Sequence, residues 1–133
     1  PPPPPHGDEV REEALGILRM VGLERRADHS SASLTQVEMR KLELARAVAA
    51  RPKLLISDEA MAGLSNVEVD DILELLMRLN GEGIAVVMIE HIMRAVMKFS
   101  ERVMVLVAGR KIADATPEAV IRNPEVERAY LGE

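Results

Sequence analysis

Two short apolar runs, each ended by charge, constrain the fold of this chain most. Lys53 to Glu59 reads KLLISDE: Leu54, Leu55 and Ile56 lead through Ser57 into two adjacent acids, Asp58 and Glu59. Ile84 to Ile89 reads IAVVMI and runs straight into Glu90 and His91. Apolarity that is continuous over so few residues, rather than alternating, fits strands buried on both faces of a parallel sheet. Parallel neighbours need a long crossover. The segment Asn66 to Asn80 supplies a helical one, with Val69, Ile72, Leu73, Leu76 and Leu79 on one face and Asp70, Asp71, Glu74 and Arg78 opposite. Gly81 and Gly83 break it.

The elements around this core follow from the same rules. Pro1 to Pro5 can form neither a helix nor a central strand and reads as an extended polyproline leader, a linker or a ragged gene start; a Pro-rich ligand is the other possibility. The leader is placed at residues 1–9. From Asp8 the pattern turns helical, with Val10, Ala14, Ile17, Leu18 and Val21 on one face and Gly22 as its stop. Glu24 to Ser33 is polar and predicts a loop, in which His29 has no metal-ligand type of partner nearby in the sequence. A second helix is expected over Thr35 to Arg51. It opens on a capping box, Thr35 with Glu38, carries Leu44, Ala45, Val48 and Ala49 as its stripe, and is stopped by Pro52. Ser65 and Glu68 repeat the box before the crossover helix, after a small-residue turn, AMAGLS.

Beyond His91 a short helix is expected, with Ile92, Ala95, Val96 and Phe99 inward. A strand over Arg102 to Val107, a turn at Gly109–Arg110 and a return strand near Lys111 to Ala113 follow. Two closing helices are announced by Thr116–Pro117 and Asn123–Pro124, a cap residue followed by proline at the first helical position. Strands alternating with helices imply right-handed crossovers and a mostly parallel sheet with helices on its faces.

Composition removes several function classes. The 133 residues contain no cysteine, which excludes disulfides, thiolate metal sites and cysteine nucleophiles. A net charge of −5 without a basic block, and only 2% aromatics, argue against a nucleic-acid partner. No apolar run approaches membrane-spanning length and no signal-peptide pattern opens the chain, so the expected compartment is the cytoplasm. The methionines Met88, Met93, Met97 and Met104 read as core or adaptable contact surface.

Ligands of parallel α/β sheets sit beyond the carboxyl ends of the strands. Asp58, Glu59 and His91 occupy two such ends, expected side by side. There an aspartate can hold magnesium through water, a glutamate can polarise an attacking water and a histidine can touch a transferred phosphate. The same spacing also describes polar residues ending strands at a solvated edge.

LTQVEMRKLELARAVAARPKLLISDEAMAGLS, followed by VVMIEH, resembles the second half of an ABC transporter ATPase subunit, over about Val10 to Glu133. The ending GRKIADATPEAVIRNPEVERAYLGE is similar to the branch that energises branched-chain amino acid importers. The resemblance implies an α/β fold, the C-terminal part of a P-loop NTPase domain. Residues 10–51 would form its helical and signature region, and 52–133 would hold Walker B, the D-loop, the switch histidine and the closing helices. It implies Asp58 as magnesium-assisting residue, Glu59 as general base and His91 as the γ-phosphate contact. It implies ATP and Mg2+ in the full-length parent, a second ATPase subunit and membrane subunits as partners, and a position at the inner face of the cell membrane.

The departures are as informative. Where the family shows LSGGQ, this chain has LTQVE: Thr35 keeps a hydroxyl, but Gln36 and Val37 replace glycines and hinder close backbone approach to phosphate. Ala60 stands for the usual proline and Ser65 for the usual D-loop aspartate; Thr35 and Ser65 also have a capping explanation. The phosphate-cradling pattern G-x-x-x-x-G-K-[ST] occurs nowhere in the 133 residues, and no Q-loop match is found. The resemblance therefore assigns nucleotide holding to an N-terminal half outside this sequence. Two readings follow: a fragment of an importer ATPase subunit that does not hydrolyse ATP alone, binding no nucleotide of its own, or a non-catalytic half-domain that associates with itself or a partner. A DNA-repair type ATPase shares the motif order but not the acidity or the importer-like tail.

Overall fold

A computed structural model describes residues 7–131 of the chain. The proline leader at Pro1 to Pro5, and His6, lie outside the described residues. The chain divides into two compact units, one ending at Ile89 and the other starting at Glu90.

The first unit contains α1 (Gly7–Val21), α2 (Gln36–Ala49), β1 (Leu54–Asp58), α3 (Asn66–Gly81) and β2 (Ala85–Ile89). Helix α1 starts one residue before the expected Asp8, so residues 7–9, assigned to the leader, are helical. The segment expected as a plain loop holds two 3-10 turns, Glu24–Arg26 and Ser31–Ser33. Serines supply the local caps: the Ala32 N–H donates to Ser30 Oγ, and the Ser33 hydroxyl donates to the Ser30 carbonyl. Helices α1 and α3 both stop on a glycine with positive φ, Gly22 (+80°) and Gly83 (+99°). In each the glycine N–H and the next N–H turn back onto the last carbonyls, Gly22 to Arg19 and Leu23 to Leu18, Gly83 to Asn80 and Ile84 to Leu79. That arrangement satisfies carbonyls the helix leaves open. It also drives Leu23 inward, where it is 3% exposed.

All five residues expected on the inner face of α3 are buried, and Leu75 joins them. Leu75 packs in a second cluster with Val21, Leu23 and Ala45, so α3 is covered over a wider arc than one apolar stripe requires. Met61, in the turn read as small-residue, is 1% exposed and is a core anchor.

Strands β1 and β2 pair in parallel, from Leu54 against Ala85 to Asp58 against Ile89. Alternate residues share a face. Leu55 is buried, with Ser57, Val86 and Met88 half-buried on the same face. On the other face Leu54, Ile56, Val87 and Ile89 are about half exposed, at 48–59%. Burial on both faces, expected from the continuous apolarity, is therefore not what the described residues provide. They supply a covering layer for one side of the pair only, while the side chains of both sides are apolar.

The second unit contains α4 (Met93–Phe99), β3 (Val103–Val107), β4 (Arg110–Ala115), α5 (Pro117–Ile121) and α6 (Pro124–Leu131). Helix α4 starts at Met93, so His91 lies in the connection before it. β3 and β4 form an antiparallel hairpin with an irregularity between Val105 and Leu106. The parallel component expected of the sheet is thus carried by β1–β2, and a two-residue turn makes the second pair antiparallel. Val105, Val120 and Val126 form the core of this unit. Thr116 caps α5 ahead of Pro117, and the Glu125 N–H donates to Asn123 Oδ1 at the start of α6. Arg102 clamps Asp114 with two 2.6 Å hydrogen bonds, and Lys111 approaches it at 3.4 Å. The Arg102 guanidinium holds the Asp114 carboxyl down to about 2.

The hairpin turn is Ala108–Gly109, with φ of +48° and +78°. Positive φ at both central residues is the type I′ geometry that matches strand twist and favours Asn-Gly. Alanine there is strained by about 1 kcal/mol. Ala108→Asn is expected to stabilise the second unit by roughly 0.5–1 kcal/mol, read as a raised midpoint in denaturant unfolding; an unchanged or lowered midpoint contradicts the turn assignment.

Candidate functional site

The site is built at the carboxyl end of β1. Asp58 is the last strand residue, one position later than the expected strand end, and pairs with Ile89 of β2. Glu59 follows with φ +49°, a left-handed conformation uncommon for a residue with a side chain. Its N–H donates to the Ile89 carbonyl at 2.9 Å, extending the ladder by one bond past the strand. This bond and the burial of Met61 two residues on hold a backbone that costs about 1–3 kcal/mol. Both acids are exposed.

The turn that follows is tied to the start of α2. Gly63 has φ +78°, and a Cβ there would come within 2.7 Å of Gln36 Nε2. Gln36 Nε2 in turn donates to the Ala62 carbonyl at 3.2 Å. The N-terminus of α2 and the β1–α3 turn, distant in sequence, thus meet through a glutamine that motif comparison alone treats as a poor substitute for glycine.

Thr35 and Ser65 are both helix caps. Thr35 Oγ1 accepts from the Glu38 N–H at 3.3 Å while Glu38 accepts from the Thr35 N–H at 3.0 Å. Ser65 and Glu68 repeat the exchange at 3.2 and 3.0 Å. A hydroxyl that accepts keeps its own O–H to donate, so capping and ligand contact are compatible. Val37 is half-buried in the first turn. Arg26 adds a two-pronged clamp on Glu38, at 2.9 and 3.2 Å.

Asp58 and Ser57 line a cleft of about 150 Å³ with Arg40 and Glu43 of α2 and Leu55 and Ile72 beneath. Arg40 reaches Glu43 at 3.4 Å, while its Nε is buried without a hydrogen-bond partner among the described residues. Sequence reasoning passed over Arg40. The available signal was a charged residue at i, i+4, i+7 register with Leu44 and Ala47, on the face that packs inward.

His91 lies in the second unit, two residues past the Ile89 that pairs with Asp58. It is exposed, whereas the side chain of the preceding Glu90 is 0% exposed. Glu90 was likewise not singled out from sequence; an acid directly between an apolar strand and a histidine was the cue.

Among the described residues no three of His, Cys, Asp and Glu converge as a metal-holding group. Asp58, Ser57 and Glu59 offer hard oxygen donors. Mg2+ commonly takes one or two carboxylates and completes its shell with water and phosphate oxygens, and this donor set fits that mode rather than an all-protein cage.

Known proteins are similar to this chain in sequence and in fold. The family described as branched-chain amino acid ATP-binding cassette transporter matches residues 110–133. The chain is 40% identical over 126 residues to the high-affinity branched-chain amino acid transport ATP-binding protein BraF of Pseudomonas aeruginosa, covering 94% of this chain and 49% of that protein. It is 35% identical over 123 residues to the lipopolysaccharide export system ATP-binding protein LptB of Haemophilus influenzae, covering 92% of this chain and 51% of that one. Among solved structures, the ADP conformation of MJ1267, an ATP-binding cassette of an ABC transporter, superposes with a TM-score of 0.88 at 28% identity, over 98% of this chain and 52% of that structure. The resemblance to the C-terminal half of an ABC transporter ATP-binding subunit holds in both sequence and fold, and the chain spans about half the length of the relatives it matches.

The double clamp on Glu38 has a measurable acid signature. Hydrogen bonds from the Thr35 backbone and from Arg26 lower its carboxyl from 4.5 to about 2. A depressed carboxylate stabilises the fold fully above its unfolded value and loses that contribution as pH falls through the folded one. The thermal stability of the chain is therefore expected to fall as pH drops from about 4.5 to about 2, less steeply in Glu38→Gln. Equal slopes in the two proteins would remove Glu38 from the account.

Proposed function

We propose that this chain is the hydrolytic half of an ABC importer ATPase subunit, the importer serving branched-chain amino acids or related solutes. The observation that carries the reading is the carboxylate pair Asp58–Glu59 at the end of a parallel strand. Its second member is held in a left-handed backbone by a hydrogen bond to the neighbouring strand. The order of Thr35, Asp58, Glu59, Ser65 and His91 along the chain supports it, as does similarity to ATP-binding proteins of transport systems.

In this reading Glu59 is the general base that takes a proton from the attacking water, a role worth about 10²–10⁴-fold in rate. Asp58 holds Mg2+ through water, with Ser57 and Arg40 beside it in the cleft. The bound ion, when present, neutralises charge on the β- and γ-phosphates. His91 touches the γ-phosphate. Thr35 donates its hydroxyl to the γ-phosphate of the nucleotide on a second subunit, with Gln36 and Val37 shaping that approach, and Ser65 sits at the same subunit boundary. The complete enzyme works on ATP at the inner face of the membrane, against transporter membrane subunits; among the described residues no helix is long and apolar enough to cross a membrane.

The 133 residues contain no G-x-x-x-x-G-K-[ST] to hold the phosphates, so the chain by itself does not turn over ATP. The half-exposed face of Leu54, Ile56, Val87 and Ile89 takes the nucleotide-holding half of a cassette. Burying the remainder of these side chains is worth on the order of 1 kcal/mol each. The same face supports a second reading, a non-catalytic half-domain that covers it with another copy of itself.

Two measurements separate these. When the chain is co-expressed with an N-terminal half-cassette bearing the glycine-rich loop, a complex with Mg-dependent ATP turnover is expected. Glu59→Gln should cut turnover at least about 10²-fold while ATP binding persists. Turnover surviving that substitution contradicts the role of Glu59, and steady turnover by the pure chain contradicts the division of labour. Light scattering on the chain alone decides the second reading: an oligomer dispersed by Ile56→Lys supports it, and a strict monomer at high concentration excludes it.

A further inference from the structure

Glu90 is a buried carboxylate to which the reading above gives no task. Its side chain is 0% exposed, and its Oε2 has no hydrogen-bond partner among the described residues. Its Oε1 accepts from the His91 backbone N–H at 3.1 Å and lies 3.6 Å from His91 Nδ1. A buried carboxylate needs donors or positive charge around it. The imidazole nitrogen closest to it is therefore under pressure to carry a proton, since a bare Nδ1 lone pair would face the carboxylate with like polarity. At 3.6 Å the contact is electrostatic rather than a hydrogen bond.

We infer that Glu90 is a positioning residue for His91: its carboxylate keeps the proton on Nδ1 and makes Nε2 the nitrogen that exchanges protons and hydrogen bonds with a ligand. Which imidazole nitrogen is protonated is set by what the other parts of the site offer it. The backbone bond from His91 to the same oxygen fixes the carboxylate against the ring that it orients. What Nε2 then meets, a γ-phosphate oxygen, rests on the proposed function; the tautomer does not.

Nitrogen-15 NMR of the histidine rings in the whole chain tests this without nucleotide. Above the imidazole titration the wild-type His91 is expected to show Nδ1 protonated and Nε2 bare, in excess of about tenfold. Glu90→Val should bring the Nε2–H form up to a comparable population, and Glu90→Gln, which keeps an acceptor oxygen, should restore part of the wild-type ratio. Unchanged β1–β2 amide resonances establish that the variants remain folded. A wild-type His91 in the Nε2–H form, or a ratio indifferent to Glu90→Val in a folded chain, overturns the inference. Either result leaves the Glu59 test untouched, so failure here and failure of the ATPase reading are told apart.

Discussion

The register between β1 and β2 is the constraint on which the rest of the first unit depends. Asp58 opposite Ile89 sets where the ladder ends, and the Glu59 N–H to Ile89 carbonyl bond adds one more rung beyond it. That rung forces the chain to leave the strand through a left-handed residue. A one-residue slip would turn every side chain of β1 to the opposite face: Leu55 would lose its place under α3, and Asp58 its place in the cleft beside Arg40. The apolar side of α3 locks the register, because Ile72 and Leu76 line the same cleft floor as Leu55.

Much of this was open to reading from the residues. Periodicity gave every buried residue of α3 except Leu75, and both capping boxes and both cap–proline pairs formed as their side-chain chemistry dictates. Polar signals with a single local partner are legible because the partner is three residues away. Relations between segments far apart were not: the Gln36 bond to the Ala62 carbonyl, or Arg40 and Asp58 lining one cleft, depend on where α2 packs. Local chemistry also misled. AMAGLS has the composition of an exposed turn, yet Met61 plunges into the core, since one long flexible side chain among small ones can be turned inward to pin the loop.

The two-sided apolarity of β1 and β2 is a case where pattern and structure speak to different extents of molecule. The sequence is written for a layer on each face, while the described residues place α-helices on one. Relatives about twice as long carry the remaining length. The chemistry divides similarly: carboxylates, capped hydroxyls and a histidine are present, and the glycine-rich phosphate cradle is not.

The close approach of Gly63 to Gln36 bears on how this sequence can drift. A Cβ at 63 would come within 2.7 Å of the movable end of the Gln36 side chain, and glycine at 36 would release the Ala62 carbonyl. Neither position is therefore independent of the other. Glycine at 36 would give up the clasp on the turn, and a side chain at 63 would push the Gln36 amide aside while straining a backbone at φ +78°. The clasp thus joins two loops that are distant in sequence, so that a substitution in one is felt mechanically in the other.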